Sequence, residues 1–153
     1  MVEIRCIADG EGAAVADLWD EMCRTAPDGG PLSARGRRNI ERMLDIAAWH
    51  REELCLVALD AGRIVGFAHA RVSAGSGLLP GLLGELETLY VTPSARGSGT
   101  SRALAQEAVL ELRARGAGMM HRLICVDDKS AQEFWTTLGF ERDMVCMSMY
   151  PGP

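Results

Sequence analysis

The passage ETLYVTPSARGSGTSRALAQEA, residues 87–108, leaves the chain few ways to fold. β-Favouring residues run to Val91, a proline follows at Pro93, and Arg96-Gly97-Ser98-Gly99 leads into helix formers with apolar residues three and four apart. A strand that turns this quickly into a helix belongs to a layered α/β domain. A helix starting at Thr100 would leave its first N–H groups unpaired and present the positive end of its dipole. Gly97 and Gly99 carry no Cβ, so an anion can approach the backbone and left-handed φ values are cheap. Consecutive amides in such a turn form a concave site suited to a pyrophosphate, with Arg96 as a nearby charged donor. A tight turn with no ligand is the plainer alternative. A Walker A loop is excluded because no lysine follows the glycines, and Gly97-Ser98-Gly99 is only part of a dinucleotide fingerprint.

The flanking sequence has the same alternating character. VEIRCIA (2–8) reads as a strand, and Asp9 is placed to cap a helix with Val15, Leu18, Trp19 and Met22 on one face. Ser33 starts a second helix with Ile40, Met43, Leu44 and Ala47 buried. ELCLVAL (53–59) and RIVGFAHARV (63–72) form a hairpin across Asp60-Ala61-Gly62. A Gly-rich loop over 73–84 precedes the strand ELETLYV, and the next helix ends near Arg115 before Gly116. MHRLICV (120–126) is a further strand, Ser130 to Glu133 fits a capping box, and MVCMSMY (144–150) closes as the last strand. The order β-α-α-β-β-β-α-β-α-β predicts one domain over 1–153.

Composition narrows the function classes. A net charge of −5 gives no footing for binding driven by nucleic-acid phosphates. Five cysteines without a C-x-x-C pair, each in an apolar run, read as buried reduced thiols rather than a disulfide frame or zinc site. No apolar run reaches membrane-spanning length and the N-terminus lacks a secretion signal, so a cytoplasmic protein with no membrane partner is expected. No metal is implied. Asp17, Asp20, Glu21 and Asp28 make the first helical region acidic, which favours a cationic partner.

LYVTPSARGSGTSRAL resembles the acetyl-CoA-binding motif of the GNAT N-acetyltransferase superfamily, in which [RQ]-x-x-G-x-[GA] opens a helix. Arg96, Gly97, Ser98, Gly99 and Thr100 match, with Ser101 in place of the usual final Gly or Ala. A second signature, N-x-x-A-x-x-[FL]-Y followed by G-F, resembles Asp128-Lys129-Ser130-Ala131-Gln132-Glu133-Phe134-Trp135 with Gly139-Phe140. The resemblance implies a GNAT-like α/β domain, a mixed and mostly antiparallel sheet of six to seven strands with helices on both faces. It implies acetyl-CoA as cosubstrate, its pantetheine arm along Leu89, Tyr90 and Val91 and its pyrophosphate on the amides of 97–101. It places the oxyanion donor at a strand bulge near Leu89 to Val91, and contacts to the cofactor at Asp128, Phe134 and Trp135.

Acetyl transfer needs a neutral amine, and an alkyl amine is less than about 0.1% neutral at pH 7, so a base has value. Glu85 and Glu87 stand two apart on one sheet face and are the candidates, Glu87 slightly favoured. Trp135 stands where the family often has an acidic tyrosine; Tyr90 or Tyr150 can substitute, or the thiolate leaves unaided. His69 shares its strand face with Val65, Phe67 and Arg71, and a structural or solvent-side role is its plainer reading against that of a substrate-side base. The acceptor is expected to be a primary amine of a small molecule or peptide, cationic in character, contacting the first two helices, the 73–84 loop and the last strand. A homodimer is compatible with this scheme. A non-catalytic acyl-CoA sensor or interaction module is the alternative, carried by the departures at Trp135 and Asp128.

Overall fold

The computed structural model describes residues 1–75, 77 and 81–153. They fall into two compact units, Met1–Leu123 and Ile124–Pro153. The first is a five-stranded sheet with three helices: β1 (Glu3–Cys6), α1 (Gly12–Thr25), α2 (Ala34–Ala47), β2 (Glu53–Asp60), β3 (Arg63–Ser73), β4 (Leu82–Val91), α3 (Thr100–Ala114) and β5 (Ala117–His121). The strands lie in chain order, β1 to β4 antiparallel and β5 parallel to β4 across the α3 crossover.

Strand alternation sorts the apolar side chains between two layers. Cys55, Val57, Phe67 and Tyr90 join Val15, Ala16 and Leu18 of α1 and Leu44 and Ala47 of α2 in one buried cluster. Leu54, Leu56, Ala68, Ala70 and Leu86 occupy the alternate positions and are equally buried, as are Leu104, Ala105, Ala108 and Leu112 of α3, which packs on β2, β3, β4 and β5. The acidic side chains of α1 are engaged locally. Asp17 pairs with Arg37 at 2.7 Å and Asp20 with Arg24 at 2.6 Å, which leaves less of that acidity to recruit a cation than the sequence suggests.

Several expectations need correction. Among the described residues the sheet has five strands, not six to seven. Residues 144–150, the expected last strand, form no helix or strand and are exposed, because an alternating apolar run becomes a strand only with a ladder to join. The fifth strand spans Ala117–His121 rather than 120–126: Gly116, at φ +101°, ends α3 and the chain pairs with β4 at once. Asp9 does not cap α1. Glu11 sits at that N-cap and turns its carboxylate back to the Ala8 amide (2.8 Å) and to Arg5 (2.7 Å). Ser33 does cap α2, accepting from the Gly36 amide at 3.0 Å. Only Cys55 is fully buried, its thiol pushed up by desolvation; Cys23 is half-buried and Cys6, Cys125 and Cys146 are exposed.

In the second unit, Asp128 caps α4 (Lys129–Thr136) by accepting from the Ala131 amide at 2.9 Å, so the cap lies two residues before the expected one at Ser130. Trp135 is buried, with Phe134 and Phe140 edge-on to its ring at 5.3 and 5.1 Å.

The β2–β3 hairpin carries a testable strain. Asp60 pairs with Arg63 across a two-residue loop, and both loop residues have positive φ, Ala61 at +48° and Gly62 at +77°. Such a turn favours Asn-Gly, and a left-handed alanine costs roughly 1–2 kcal/mol. Ala61→Asn is therefore expected to stabilise the fold by about 1 kcal/mol, raising Tm by about 2–4 °C. An unchanged or lower Tm would show that the turn is not strained.

Candidate active site

The site grows out of β4. Past Val91, a 3-10 turn (Pro93–Ala95) reverses the chain, and Gly97 (φ +77°) and Gly99 (φ +84°) lead into α3. A Cβ at either glycine would meet no heavy atom within 4 Å, so left-handed φ, not crowding, demands glycine here, and the space above the turn is open. Gly99 is the N-cap of α3 and no side chain caps that end, which leaves the first amides to another partner. Ser98 braces the turn, its hydroxyl 2.7 Å from both the Ala95 carbonyl and the Thr100 hydroxyl. Arg96 donates to the Val91 carbonyl at 3.1 Å and lies over the Tyr90 ring at 5.7 Å, so it ties the turn to the strand. Ser101 is the second residue of α3.

One edge of β4 is only partly paired. The ladder with β5 starts at Leu82 and stops at Glu85 opposite His121, whereas β3 pairs β4 as far as Val91. Beyond Glu85, on the β5 side, Arg122 donates to the carbonyls of Leu86, at 3.1 Å, and Glu87. Burial pulls this guanidinium below its usual range while Glu87 opposes the shift. Leu89, Tyr90 and Val91 therefore have a strand neighbour in this unit on the β3 side alone.

The bulge is at Glu87 rather than at Leu89 to Val91. His69 faces Thr88 and Ala70 faces Leu86, so Glu87 is the extra residue, and its side chain reaches His69 and Arg71 of β3. Its carboxylate, 39% exposed, lies 3.2 Å from His69 Nδ1 and 3.7 Å from Arg71 Nη1. Glu85 instead accepts from the Ser73 hydroxyl at 3.3 Å. The two candidate bases thus have separate partners.

His69 is fully buried. Its Nε2 is 2.8 Å from Glu53 Oε2, and Arg71 Nε is 3.3 Å from the other Glu53 oxygen. Glu53 also lines a groove of about 390 Å³ with Arg42, Met43, Ile46 and His50. The sequence reading missed Glu53, and only the ladder register, Glu53 opposite Arg71 and Cys55 opposite His69, brings it to the histidine. The two imidazole nitrogens address different carboxylates, and no group able to hold a metal ion occurs among the described residues.

Tyr90 is buried and its hydroxyl donates to Glu21 at 3.0 Å. Burial first, and Glu21 second, push the phenol above its usual value. Its stabilising share is complete below the ordinary tyrosine pKa near ~10 and is lost as pH rises through the folded value. Tyr90→Phe is therefore expected to flatten the fall in stability above about pH 10, read from denaturation midpoints. The same alkaline fall in the variant would contradict this. Asp128, Phe134 and Trp135 belong to the second unit, Asp128 as the α4 cap and the two rings packed on each other. Part of the expected substrate loop, Ser76 and Leu78 to Pro80, lies outside the described residues.

Among the described residues no helix is long and apolar enough to cross a membrane. A mycothiol acetyltransferase of Kocuria rhizophila is 35% identical over 83 residues, covering 54% of this chain and 27% of that protein. One from Amycolatopsis mediterranei is 30% identical over 121 residues, 76% of this chain and 38% of its own. The chain thus spans well under half the length of these curated relatives. Among solved structures, an acetyltransferase of Trypanosoma brucei superposes with a TM-score of 0.73 at 22% identity, covering 99% of this chain and all of that one. The aminoglycoside N-acetyltransferase AAC(6')-Iy, solved with CoA, gives 0.79 at 17% identity over 99% of this chain and 95% of its own; at such identities the likeness is one of fold. The acetyltransferase (GNAT) family model matches residues 15–140, most of the chain, and the protein belongs to that family.

Proposed function

We propose that the chain is an acetyl-CoA-dependent N-acetyltransferase that moves an acetyl group to a primary amine of a small molecule by direct attack in a ternary complex. The observation that carries this reading is the layout of β4. One strand presents a carboxylate at its bulge, an edge unpaired by β5 over 86–91, and an uncapped helix N-terminus directly after it. The names of the relatives, which specify mycothiol and aminoglycosides, support a small-molecule acceptor.

Acetyl-CoA supplies the activated acyl group. The open space over Gly97 and Gly99 and the uncapped amides of 97–101 fit its pyrophosphate, with Thr100 and Ser101 opening the helix. The backbone of Leu89, Tyr90 and Val91 is suited to receive an extended amide-bearing arm as an added strand. Arg96 acts here by holding the turn against β4. The family motif assigns Asp128, Phe134 and Trp135 to the same ligand; within its own unit Asp128 caps α4.

Glu87 takes the acceptor's proton, Glu85 being the second candidate. A backbone amide of the bulge polarises the thioester carbonyl. Tyr90, held protonated and bonded to Glu21, is a weaker acid than a free phenol, so its role as proton donor is the lesser one. A thiol pKa near ~8.5 lets the CoA thiolate depart without help.

Ligand-dependent melting tests the cofactor assignment. Acetyl-CoA at about 100-fold over its Kd is expected to add about 2.7 kcal/mol, which raises Tm by roughly 5–10 °C. ATP and NAD are expected to leave Tm unchanged. An equal rise with either of them, or none with acetyl-CoA, would overturn it. Tight acetyl-CoA binding without acetylation of any amine would favour the sensor reading, which the tryptophan at position 135 supports.

A further inference from the structure

Resting on the acetyltransferase reading, we propose that His69 is a positioning residue that makes Glu87 an effective base, storing at Nδ1 the proton that Glu87 takes from the acceptor amine, with Glu53 holding the opposite side of the ring. The geometry carries it. His69 is fully buried on the central strand β3, and its two nitrogens face two carboxylates, Nε2 toward Glu53 at 2.8 Å and Nδ1 toward Glu87 at 3.2 Å. The Glu53 bond has hydrogen-bond alignment, and a carboxylate can only accept, so Nε2 carries the hydrogen in the neutral ring.

Nδ1 is then a lone pair. It has no hydrogen-bond partner although a carboxylate oxygen is within ion-pair reach, the approach being off the hydrogen-bond line. Two acceptors facing each other, one of them a buried nitrogen out of reach of water, repel, and a proton between them turns that repulsion into a charge-assisted bond. A buried nitrogen orphaned in front of the candidate base is poorly explained as packing and well explained as a place for a transient proton.

The surrounding charges suit that state. Glu53 on β2 and Glu87 on β4 flank the ring, and Arg71 of β3 stands 3.3 Å from Glu53 and 3.7 Å from Glu87. Glu85 of β4 is turned to Ser73, and Cys55 of β2 is the ladder partner of His69. From α1 the nearest ring is Trp19, at 5.9 Å, while Glu21 is bonded to Tyr90. From α2, Arg42 shares with Glu53 and His50 the groove beside the start of β2. Arg122, charge-coupled to Glu87, is the second cation of the cluster, so Glu53 and Glu87 are balanced by two guanidiniums and an added proton is held by the two carboxylates that the imidazole nitrogens face.

The step balances. As the amine nitrogen bonds to the acetyl carbon and the carbon–sulfur bond breaks with its pair on sulfur, the surplus proton of the nitrogen passes to Glu87 Oε2 and then to His69 Nδ1. The imidazolium, flanked by both carboxylates, later returns that proton through Glu87 to the thiolate or to water, and the Nε2 hydrogen never leaves Glu53's side. No tautomer change is needed to reset the ring.

The test compares kcat/KM against pH for the wild type, His69→Gln and Glu53→Gln, using acetyl-CoA and an amine that the wild type acetylates, with Tm as the control for folding. His69→Gln is expected to keep both KM values, lower kcat by about 10- to 100-fold, and move the acid limb of the profile toward the carboxylate range. Glu53→Gln, which still offers an oxygen to Nε2 but no charge, is expected to move the limb the same way by less. If His69→Gln fails to fold, Glu53→Gln decides alone. An acid limb unmoved in the folded variants of an active enzyme overturns the role of His69 and leaves the acetyltransferase reading standing. A wild type that acetylates no amine overturns both.

Discussion

Glu87→Gln is expected to lower kcat/KM for the acceptor amine by about 10²–10⁴-fold while leaving the Kd for acetyl-CoA unchanged. Glutamine keeps the shape of the side chain and can donate its amide N–H to the His69 Nδ1 lone pair, but it cannot take a proton. The carboxylate acts on the acceptor, not on the pyrophosphate turn, so binding of acetyl-CoA separates from turnover. Glu85→Gln is expected to cost much less, because Glu85 is turned to Ser73 and has no link to the buried histidine. Steady-state rates for both variants with one acceptor decide between the carboxylates. A large loss in Glu85→Gln with little in Glu87→Gln would exchange their roles.

Gly99→Asp is expected to weaken acetyl-CoA binding by about 10- to 100-fold without unfolding the chain. Aspartate is a favoured N-cap, tolerates left-handed φ better than most residues, and would meet no heavy atom at its Cβ. Its carboxylate would stand at the mouth of the uncapped amides and repel a pyrophosphate. Losing charge-assisted bonds of about 1.5–3 kcal/mol gives that range of affinity. Tm without ligand is expected to fall by a few degrees, because φ +84° strains a side chain there by roughly 1–2 kcal/mol, and calorimetric titration with acetyl-CoA reads the loss of affinity. Unchanged affinity would mean that the α3 N-terminus does not hold the anion.

Much of the first unit could be read from local signals. The strand–glycine turn–helix passage, the 60–63 hairpin and the Ser33 cap each depend on neighbours within a few residues, and the structure contains all three. The run at 144–150 failed for the opposite reason. Its alternation is strand-like, but a strand exists only by pairing, and pairing depends on residues far along the chain. Glu11, not Asp9, stands at the α1 N-cap position and gives the helix no side-chain cap, its carboxylate being held by Arg5 and the Ala8 amide.

The candidate site divides along the same line. Gly97, Gly99 and the acidic pair of β4 are visible because they are consecutive or nearly so. Glu53 is not, since at the head of an apolar strand it resembles an ordinary solvent-side residue. The register that sets Cys55 opposite His69, and the bulge that turns Glu87 toward the same ring, assemble a cluster from three strands. For His69 the sequence makes a structural or solvent-side role the plainer reading. Full burial between two carboxylates removes the solvent-side option and gives its two nitrogens distinct partners.

Release of free thiol from acetyl-CoA, followed continuously across a panel of small primary amines at neutral pH, tests the central claim most directly. The account predicts amine-dependent thiol release, with acetylated amine formed in equal amount and the rate abolished or nearly so in Glu87→Gln. Tight binding of acetyl-CoA with no amine-dependent thiol release from any member of the panel would contradict it.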